Sequence, residues 1–194
     1  MQVLVACEFS GVVRNAFVAR GHDAMSCDLL PSETERPDGW DGHYQGDVLE
    51  LLADSSYRFD LLIAHPPCTR LCNSGVRWLN ERNLWTEMEQ AALFFKALLD
   101  CNIPKRCIEN PLPHSYAVEI IGASYNQVIH PWQFGHEESK TTCLWLRNLP
   151  QLKPTNIVSI AKQKIHTMSP GANRSKERSR TYQGIADAFA SQWG

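Results

Sequence analysis

The sequence predicts a mixed α/β fold built on a mostly parallel sheet, and three observations support this class. Short apolar runs alternate with helix-like stretches from the first residue onward. The chain has 194 residues, 43% of them hydrophobic, which suffices for one well-buried domain and not for two ordinary ones. No internal repeat or linker divides it. We therefore expect a single domain over residues 1–194.

The first half of the chain alternates strands and helices. Strands are predicted at 3–7, 22–28, 59–64 and 106–109, and helices at 12–20 and 84–99. Gly21 is typical of a helix end. A weak third strand is expected to end at Asp47, after a Pro- and Gly-rich loop at 31–46. Residues 69–82 are predicted to form a second long loop.

The second half departs from simple alternation. Residues 126–134 and 141–147 are predicted to be two strands joined by the polar link 135–140. Such a hairpin-like pair can close a parallel sheet in antiparallel fashion. Residues 153–180 are polar and irregular, and 182–193 form an amphipathic helix.

Composition excludes several classes of protein. Seven cysteines, an odd number in a core-forming sequence, are unlike a disulfide scaffold and predict free thiols. The apolar runs are too short for a membrane helix, and the first residues lack the pattern of a signal peptide, so we expect a cytoplasmic protein with no membrane partner. The net charge of −2 gives no overall basic field, but residues 174–180 carry four basic residues against Glu177 alone.

Two polar strand ends carry the strongest chemical signal. An apolar run ends on Pro66-Pro67-Cys68, and a second run delivers Glu109 before Asn110 and Pro111. A helical pattern lies between them, and parallel strands connected this way place their carboxyl ends side by side. The sequence thus predicts a thiol nucleophile beside an acid. The alternatives for Cys68 are an inert buried thiol, or a zinc or redox pair with Cys72.

The first three strand ends predict a nucleotide crevice. Asp28 and Asp47 follow strands two and three, where carboxylates can accept from ribose hydroxyls and from an exocyclic amine. The structural alternative is that Asp28 caps a turn and Asp47 caps the helix after it. Phe9 could lie against an adenine face or belong to the core. The turn around Gly11 has one glycine and is a weak nucleotide-binding signal on its own.

Taken in order, these segments resemble the motifs of the DNA cytosine carbon-5 methyltransferases, particularly the compact forms found in phage genomes. Pro66-Pro67-Cys68 and Glu109-Asn110-Pro111 form the specific part of the resemblance. Supporting segments lie at 8–11, 46–47, 132–135, 140–142 and 181–186, so the resemblance covers nearly the whole chain. It implies a Rossmann-like fold of the S-adenosylmethionine-dependent methyltransferase type and a role in DNA methylation.

The resemblance also implies roles for individual residues. S-adenosylmethionine would be the cofactor, with Asp28 on its ribose and Asp47 on its adenine. The other cofactor contacts would be Phe9, Ser10, Gly11 and Pro66. Cys68 would be the nucleophile and Glu109 the acid that engages the cytosine ring. No metal is implied.

Cytosine chemistry explains why a thiol and an acid are needed. Carbon-5 is a poor nucleophile, so a thiolate at Cys68 first adds to carbon-6 and pushes electrons toward carbon-5. The charge that develops on the ring needs a proton at N3, which a neutral Glu109 can donate if burial raises its pKa. The prolines of both motifs restrict their turns and so orient the two groups.

The sequence departs from the family at three places. Only residues 148–180 stand where a target-recognition region would be, so we expect little or no sequence-specific recognition. Lys140 replaces an arginine that would help to hold the base, and it is a weaker bidentate partner. The glycine-rich turn is reduced to Gly11, which leaves the backbone less free to approach the cofactor.

Candidate contacts to nucleic acid come from two segments. Residues 69–82 carry Arg70, Arg77 and Trp78, which could touch phosphate or stack on a flipped base. The basic run would contact phosphates through Arg174, Lys176, Arg178 and Arg180. The alternative for both segments is a solvated loop.

The predicted function is therefore methyl transfer to cytosine in DNA, duplex or single-stranded. One alternative is carbon-5 modification of a free pyrimidine nucleotide, favoured by the missing recognition region. Another is a noncatalytic protein that keeps the fold to bind nucleic acid or a partner protein. The presence of both Cys68 and Glu109 argues against this last alternative. The reduction of the glycine-rich turn to Gly11, and the lysine at position 140 in place of an arginine, argue for it.

Overall fold

The computed structural model describes residues 1–35, 41–159 and 178–194, and within them a seven-stranded sheet forms the centre. The strands are β1 Gln2–Ala6, β2 Asp23–Asp28, β3 His43–Gln45, β4 Leu61–Ala64, β5 Lys105–Asn110, β6 Gln127–Ile129 and β7 Thr142–Arg147. Their order is β3-β2-β1-β4-β5-β7-β6. The first five strands pair in parallel, and β7 is antiparallel to both β5 and β6. The predicted parallel sheet with an antiparallel closing pair is confirmed.

Helices cover both faces of the sheet. In the described part of the chain they are α1 Val12–Val18, α2 Val48–Ala53, α3 Arg77–Glu81, α4 Trp85–Asp100, α5 Ser115–Ile121 and α6 Gln183–Trp193. On one face α1 packs against α6, which buries Phe17, Phe189 and Trp193. On the other face α4 and α5 pack together, and Phe95 meets Trp145 of β7 edge-on with ring centres 4.8 Å apart.

Three segments differ from the sequence prediction. The predicted loop at 69–82 contains helix α3 and a 3-10 turn, Asn73–Gly75. Helix α5, which was not predicted, begins where the side chain of His114 accepts from the backbone N–H of Ala117 at 3.1 Å. The strand predicted at 126–134 is shorter, because Pro131 at its far end begins a 3-10 turn in place of a ladder hydrogen bond.

In the described residues, no helix combines the length and the apolar character that crossing a bilayer requires.

Candidate active site

The thiol of Cys68 sits on a turn that begins four residues beyond β4. The backbone N–H groups of Leu71 and Cys72 both donate to the carbonyl of Cys68 at 3.0 Å, which closes the turn. The same turn is attached to the segment that follows β5, since the N–H of His114 donates to the carbonyl of Leu71 at 3.0 Å. The position of the thiol therefore depends on two neighbouring strands.

The carboxylate of Glu109 lies at the end of β5, the parallel neighbour of β4. Its Oε2 is 3.0 Å from Nδ1 of His65, and the two side chains are only 14% and 7% exposed. The next residue, Asn110, donates from Nδ2 to the carbonyl of Pro66 at 2.9 Å. The ends of β4 and β5 are thus hydrogen-bonded to each other, as the connection through a helix predicts.

Glu109 keeps its charge despite its burial. Burial raises the pKa of this carboxyl, but the hydrogen bond from His65 and the positive charges of Lys140 and His65 outweigh that effect, and the pKa falls below its usual range. The sequence-based expectation of a neutral Glu109 with a raised pKa is wrong for the protein without substrate. The reason is His65, which follows β4 directly and faces the carboxylate.

Cys68 is influenced by the same groups. The pKa of its thiol is raised first by a hydrogen bond with Cys72, then by burial and by the negative charges of Cys72 and Glu109, while Lys140 acts in the opposite direction. Cys68, Glu109 and Lys140 therefore lie within electrostatic reach of one another. In the described residues, no group of three or more His, Cys, Asp or Glu side chains is placed to hold a metal ion.

A cavity of about 180 Å³ opens beside the thiol turn, at the ends of β1, β2 and β3. It is lined by Cys7, Cys27, Asp28, Leu29, Gly46, Asp47, Val48, Pro67 and Phe94. Two of the predicted cofactor residues, Asp28 and Asp47, therefore share one cavity. Each carboxylate also accepts a hydrogen bond from the backbone N–H two residues later. Asp28 accepts from Leu30 at 2.9 Å, and Asp47 accepts from Leu49 at 2.8 Å and thereby caps α2.

Four other predicted cofactor residues lie outside the walls of this cavity: Phe9, Ser10, Gly11 and Pro66. Gly11 has a φ of 70°, and a Cβ there would lie 2.2 Å from the hydroxyl of Thr34, so the missing side chain accommodates a neighbouring loop. Phe9 is nearly buried, beneath the guanidinium of Arg180, which is 5.6 Å from the ring centre.

Three of the predicted substrate residues, Arg70, Arg77 and Trp78, lie on the thiol turn or shortly after it in the chain. Trp78 is half-buried on α3. The guanidinium carbons of Arg77 and Arg82 lie over its ring, 4.3 Å and 4.2 Å from the ring centre. The carbonyl of Arg70 accepts from Nε2 of His114 at 2.8 Å, which fixes the backbone at that point.

The end of the basic run is only partly available for other contacts. Nζ of Lys140 donates to the carbonyl of Arg178 at 3.2 Å, and Arg180 forms an ion pair with Glu33. Arg178 is exposed. Arg174 and Lys176 lie outside the described residues, and their contact with phosphate stays a prediction.

One of the solved structures similar to this chain shares its fold. A protein encoded within an E. coli prophage and described as a DNA modification methyltransferase matches with a TM-score of 0.52 and 13% identity, over 82% of this chain and 52% of that chain. This likeness establishes the fold. Methyltransferase EhMeth of Entamoeba histolytica gives a TM-score of 0.47 at 14% identity over 89% and 61% of the two chains, and Dnmt2 of S. pombe gives 0.45 at 16% over 78% and 50%.

The present chain spans only about half of the length of the prophage protein. No family model matches the sequence, and no curated protein does.

Four residues at the site were not chosen as site residues from the sequence, although Pro67 was named for its turn and Cys72 for a possible zinc or redox pair with Cys68. His65 contacts Glu109, Cys72 contacts Cys68, Pro67 lines the cavity and Arg82 lies on Trp78. The i, i+4 spacing of Cys72 and Arg82 from residues already chosen was a usable signal, since one turn of chain brings such side chains together. His65 gave no local signal because its partner lies 44 residues away.

Proposed function

We propose that this protein transfers a methyl group from S-adenosylmethionine to carbon-5 of cytosine in DNA, through a covalent bond between Cys68 and carbon-6. One observation carries the proposal: the Pro-Pro-Cys turn after β4 and the buried carboxylate of Glu109 on β5 lie within electrostatic reach of each other. The Cys68 thiol and Glu109 are the two groups that addition to a pyrimidine ring requires.

The cavity beside the thiol turn has walls that fit a nucleoside. Val48 and Phe94 supply apolar surface, while Asp28 and Asp47 supply carboxylates. A carboxylate has about four acceptor sites, so each can accept from a ribose hydroxyl or a ring amine besides its backbone hydrogen bond. S-adenosylmethionine bound there supplies an electrophilic methyl group. Pro67 belongs to both the cavity wall and the thiol turn, which brings the cofactor site next to Cys68.

Glu109 and its neighbours recognise the base in this proposal. An ionised Glu109 accepts from the exocyclic amine of cytosine, which uracil lacks, and a protonated one donates to N3. The hydrogen bond from His65 fixes the direction of the carboxylate, and the ammonium of Lys140 offsets negative charge on the ring. Cys68, held on its turn, meets carbon-6 from the face of the ring.

DNA is the proposed substrate because cationic and aromatic groups follow the thiol turn along the chain. Arg77, Trp78 and Arg82 form a cluster with both phosphate donors and a stacking surface. The short region at 148–180 favours a second candidate, a free pyrimidine nucleotide. Sequence-specific recognition by base contacts plays little part in either proposal.

Transfer of labelled methyl from S-adenosylmethionine tests the function. Duplex DNA, single-stranded DNA and dCTP are supplied separately, and label is expected at cytosine carbon-5 of DNA. Cys68→Ser should abolish transfer, because only the nucleophile is lost, while Cys101→Ser, at a half-buried cysteine after α4, should transfer normally. Label in dCTP alone would establish the second candidate, and no label in any of them would refute methyl transfer to cytosine.

A further inference from the structure

A second thiol, Cys72, stands beside the proposed nucleophile. Its side chain hydrogen-bonds with that of Cys68. The backbone N–H of Cys72 also donates to the carbonyl of Cys68, so a single turn of the chain brings the two sulfurs together. Both cysteines are free and partly accessible. The resemblance to the DNA cytosine carbon-5 methyltransferases implies no role for Cys72.

The surroundings of the two sulfurs are unequal. Sγ of Cys72 lies 3.1 Å from the hydroxyl of Ser74, and the backbone N–H groups of Ser74 and Gly75 also point to it. Donors of this kind stabilise a thiolate. Cys68 instead faces burial and the negative charge of Glu109, which disfavour a thiolate, and the positive charge of Lys140 opposes them.

The pKa values follow these surroundings. The hydrogen bond from Cys68, together with those from Ser74 and Gly75, lowers the pKa of Cys72 to about 5 against the effect of burial. The pKa of Cys68 is raised. One proton is thus shared by two sulfurs, with the negative charge on Cys72 in the resting protein.

We propose that Cys72 is the proton acceptor that activates Cys68, an inference that rests on the proposed methyl transfer. As the base arrives, the S–H bond of Cys68 breaks, its proton passes to the Cys72 thiolate, and the electron pair left on Cys68 Sγ forms the bond to carbon-6. After methylation the carbon-5 proton leaves to water, the bond between sulfur and carbon-6 breaks, and its electron pair returns to Cys68. Cys72 then gives the proton back.

This arrangement explains how a thiol that is held protonated can become a nucleophile. A nucleophilic thiol next to an ionised, buried carboxylate is held protonated at neutral pH, and a protonated thiol adds poorly to carbon-6. The neighbouring thiolate of Cys72 takes up that proton when cytosine is in place. The proton then moves along one hydrogen bond and is not released into solvent.

Thiolate absorbance near 240 nm tests the inference without substrate or cofactor. The wild-type protein should show one thiolate that forms below pH 7. Cys68→Ser should keep this thiolate, since a serine hydroxyl still donates to Cys72. Cys72→Ser should lose it and show Cys68 ionising above the ordinary cysteine pKa of about 8.5. Cys101→Ser is the matched control and should resemble the wild type.

The rate of single-turnover transfer provides the second readout. Cys72→Ser should be slower by about tenfold for each pH unit below the pKa of Cys68 and should recover as the pH rises through it, which a misfolded or misplaced turn would not do. A low-pH thiolate that persists in Cys72→Ser would overturn the inference, as would an unchanged pH profile. If no variant transfers methyl, the proposed function fails, while the absorbance still decides which sulfur holds the charge.

Discussion

At the scale of single residues, the site depends on how buried charges are partnered. Glu109 is held ionised by the imidazole of His65, with the ammonium of Lys140 as a second positive neighbour. Nε2 of His65 is buried and has no hydrogen-bond partner among the described residues. The described side-chain contact of His65 is therefore the one that its Nδ1 makes with Glu109.

Replacing His65 by Phe should raise the pKa of Glu109, because burial then acts without the opposing hydrogen bond. A carboxyl whose pKa is lowered by folding stabilises the protein above its unfolded pKa, and this contribution is lost as the pH falls through the folded value. The wild type should therefore exceed His65→Phe in stability by about 1 to 3 kcal/mol at pH 7. The difference should shrink below about pH 4.

Urea unfolding over this pH range measures the effect. His65→Asn is the matched control, since its side-chain amide replaces the Nδ1 donor and should preserve most of the stability. The same pH dependence in the wild type and in His65→Phe would contradict the assignment of His65 as the group that keeps Glu109 ionised.

Asp47 has two roles that substitution can separate. Its carboxylate caps α2, and it also lines the cavity proposed for S-adenosylmethionine. Asp47→Ser keeps a good helix cap but withdraws the acceptor from the cavity, so cofactor binding should weaken by about 1 to 3 kcal/mol while the unfolding temperature changes little. Calorimetric titration gives the affinity. If Asp47→Ser binds as tightly as the wild type, Asp47 is only a cap.

At the scale of elements, the strand patterns were predictable and their ends were less so. The apolar run of β4 and the acid at the end of β5 were enough to predict two parallel neighbours with a thiol and a carboxylate side by side. Helix α5 was missed because His114 is not a usual N-cap residue. The cap depends on a histidine that a second contact, to the carbonyl of Arg70, holds in place.

Long-range contacts set the limit on predicting the site. The contact between His65 and Glu109 joins residues 44 apart, and the ion pair of Arg180 with Glu33 joins residues still farther apart in sequence. Neither follows from local periodicity. The thiol, the acid and the two cavity carboxylates were predictable because each lies at the end of a strand or within four residues after it.

Helix α3, which follows the thiol turn along the chain, should contact nucleic acid. Trp78→Ala should weaken binding to single-stranded DNA by roughly 1 to 3 kcal/mol if a base stacks on the indole. Arg77→Gln and Arg82→Gln should each reduce the salt dependence of binding by about one phosphate contact, for every DNA sequence alike. Fluorescence anisotropy at several salt concentrations measures both effects.

Arg58→Gln serves as the control for these variants. Arg58 is exposed on the loop that leads into β4, at the opposite end of this strand from the thiol turn. Its loss should therefore leave DNA binding unchanged. If Arg58→Gln weakens binding as much as Arg77→Gln does, the effect is one of overall charge and not of a surface on α3.

At the scale of the whole molecule, the fold joins two half-sites across adjacent strands. The ends of β1, β2 and β3 form the cavity with two carboxylates, and the ends of β4 and β5 hold the thiol turn and Glu109. The final helix α6 packs tightly against the segment after β6, since a Cβ at Gly184 would lie 1.9 Å from the carbonyl of Phe134. We propose that residues 1–194 act as one methyltransferase-like domain.

Covalent trapping tests the central claim most directly. DNA containing 5-fluorocytosine, incubated with the protein and S-adenosylmethionine, should form a stable adduct, because fluorine at carbon-5 cannot leave as a proton does and the bond from sulfur to carbon-6 persists. Mass spectrometry of the digested adduct should place the DNA on Cys68, and Cys68→Ser should give none. A protein that methylates normal DNA but forms no adduct at Cys68 would contradict the account.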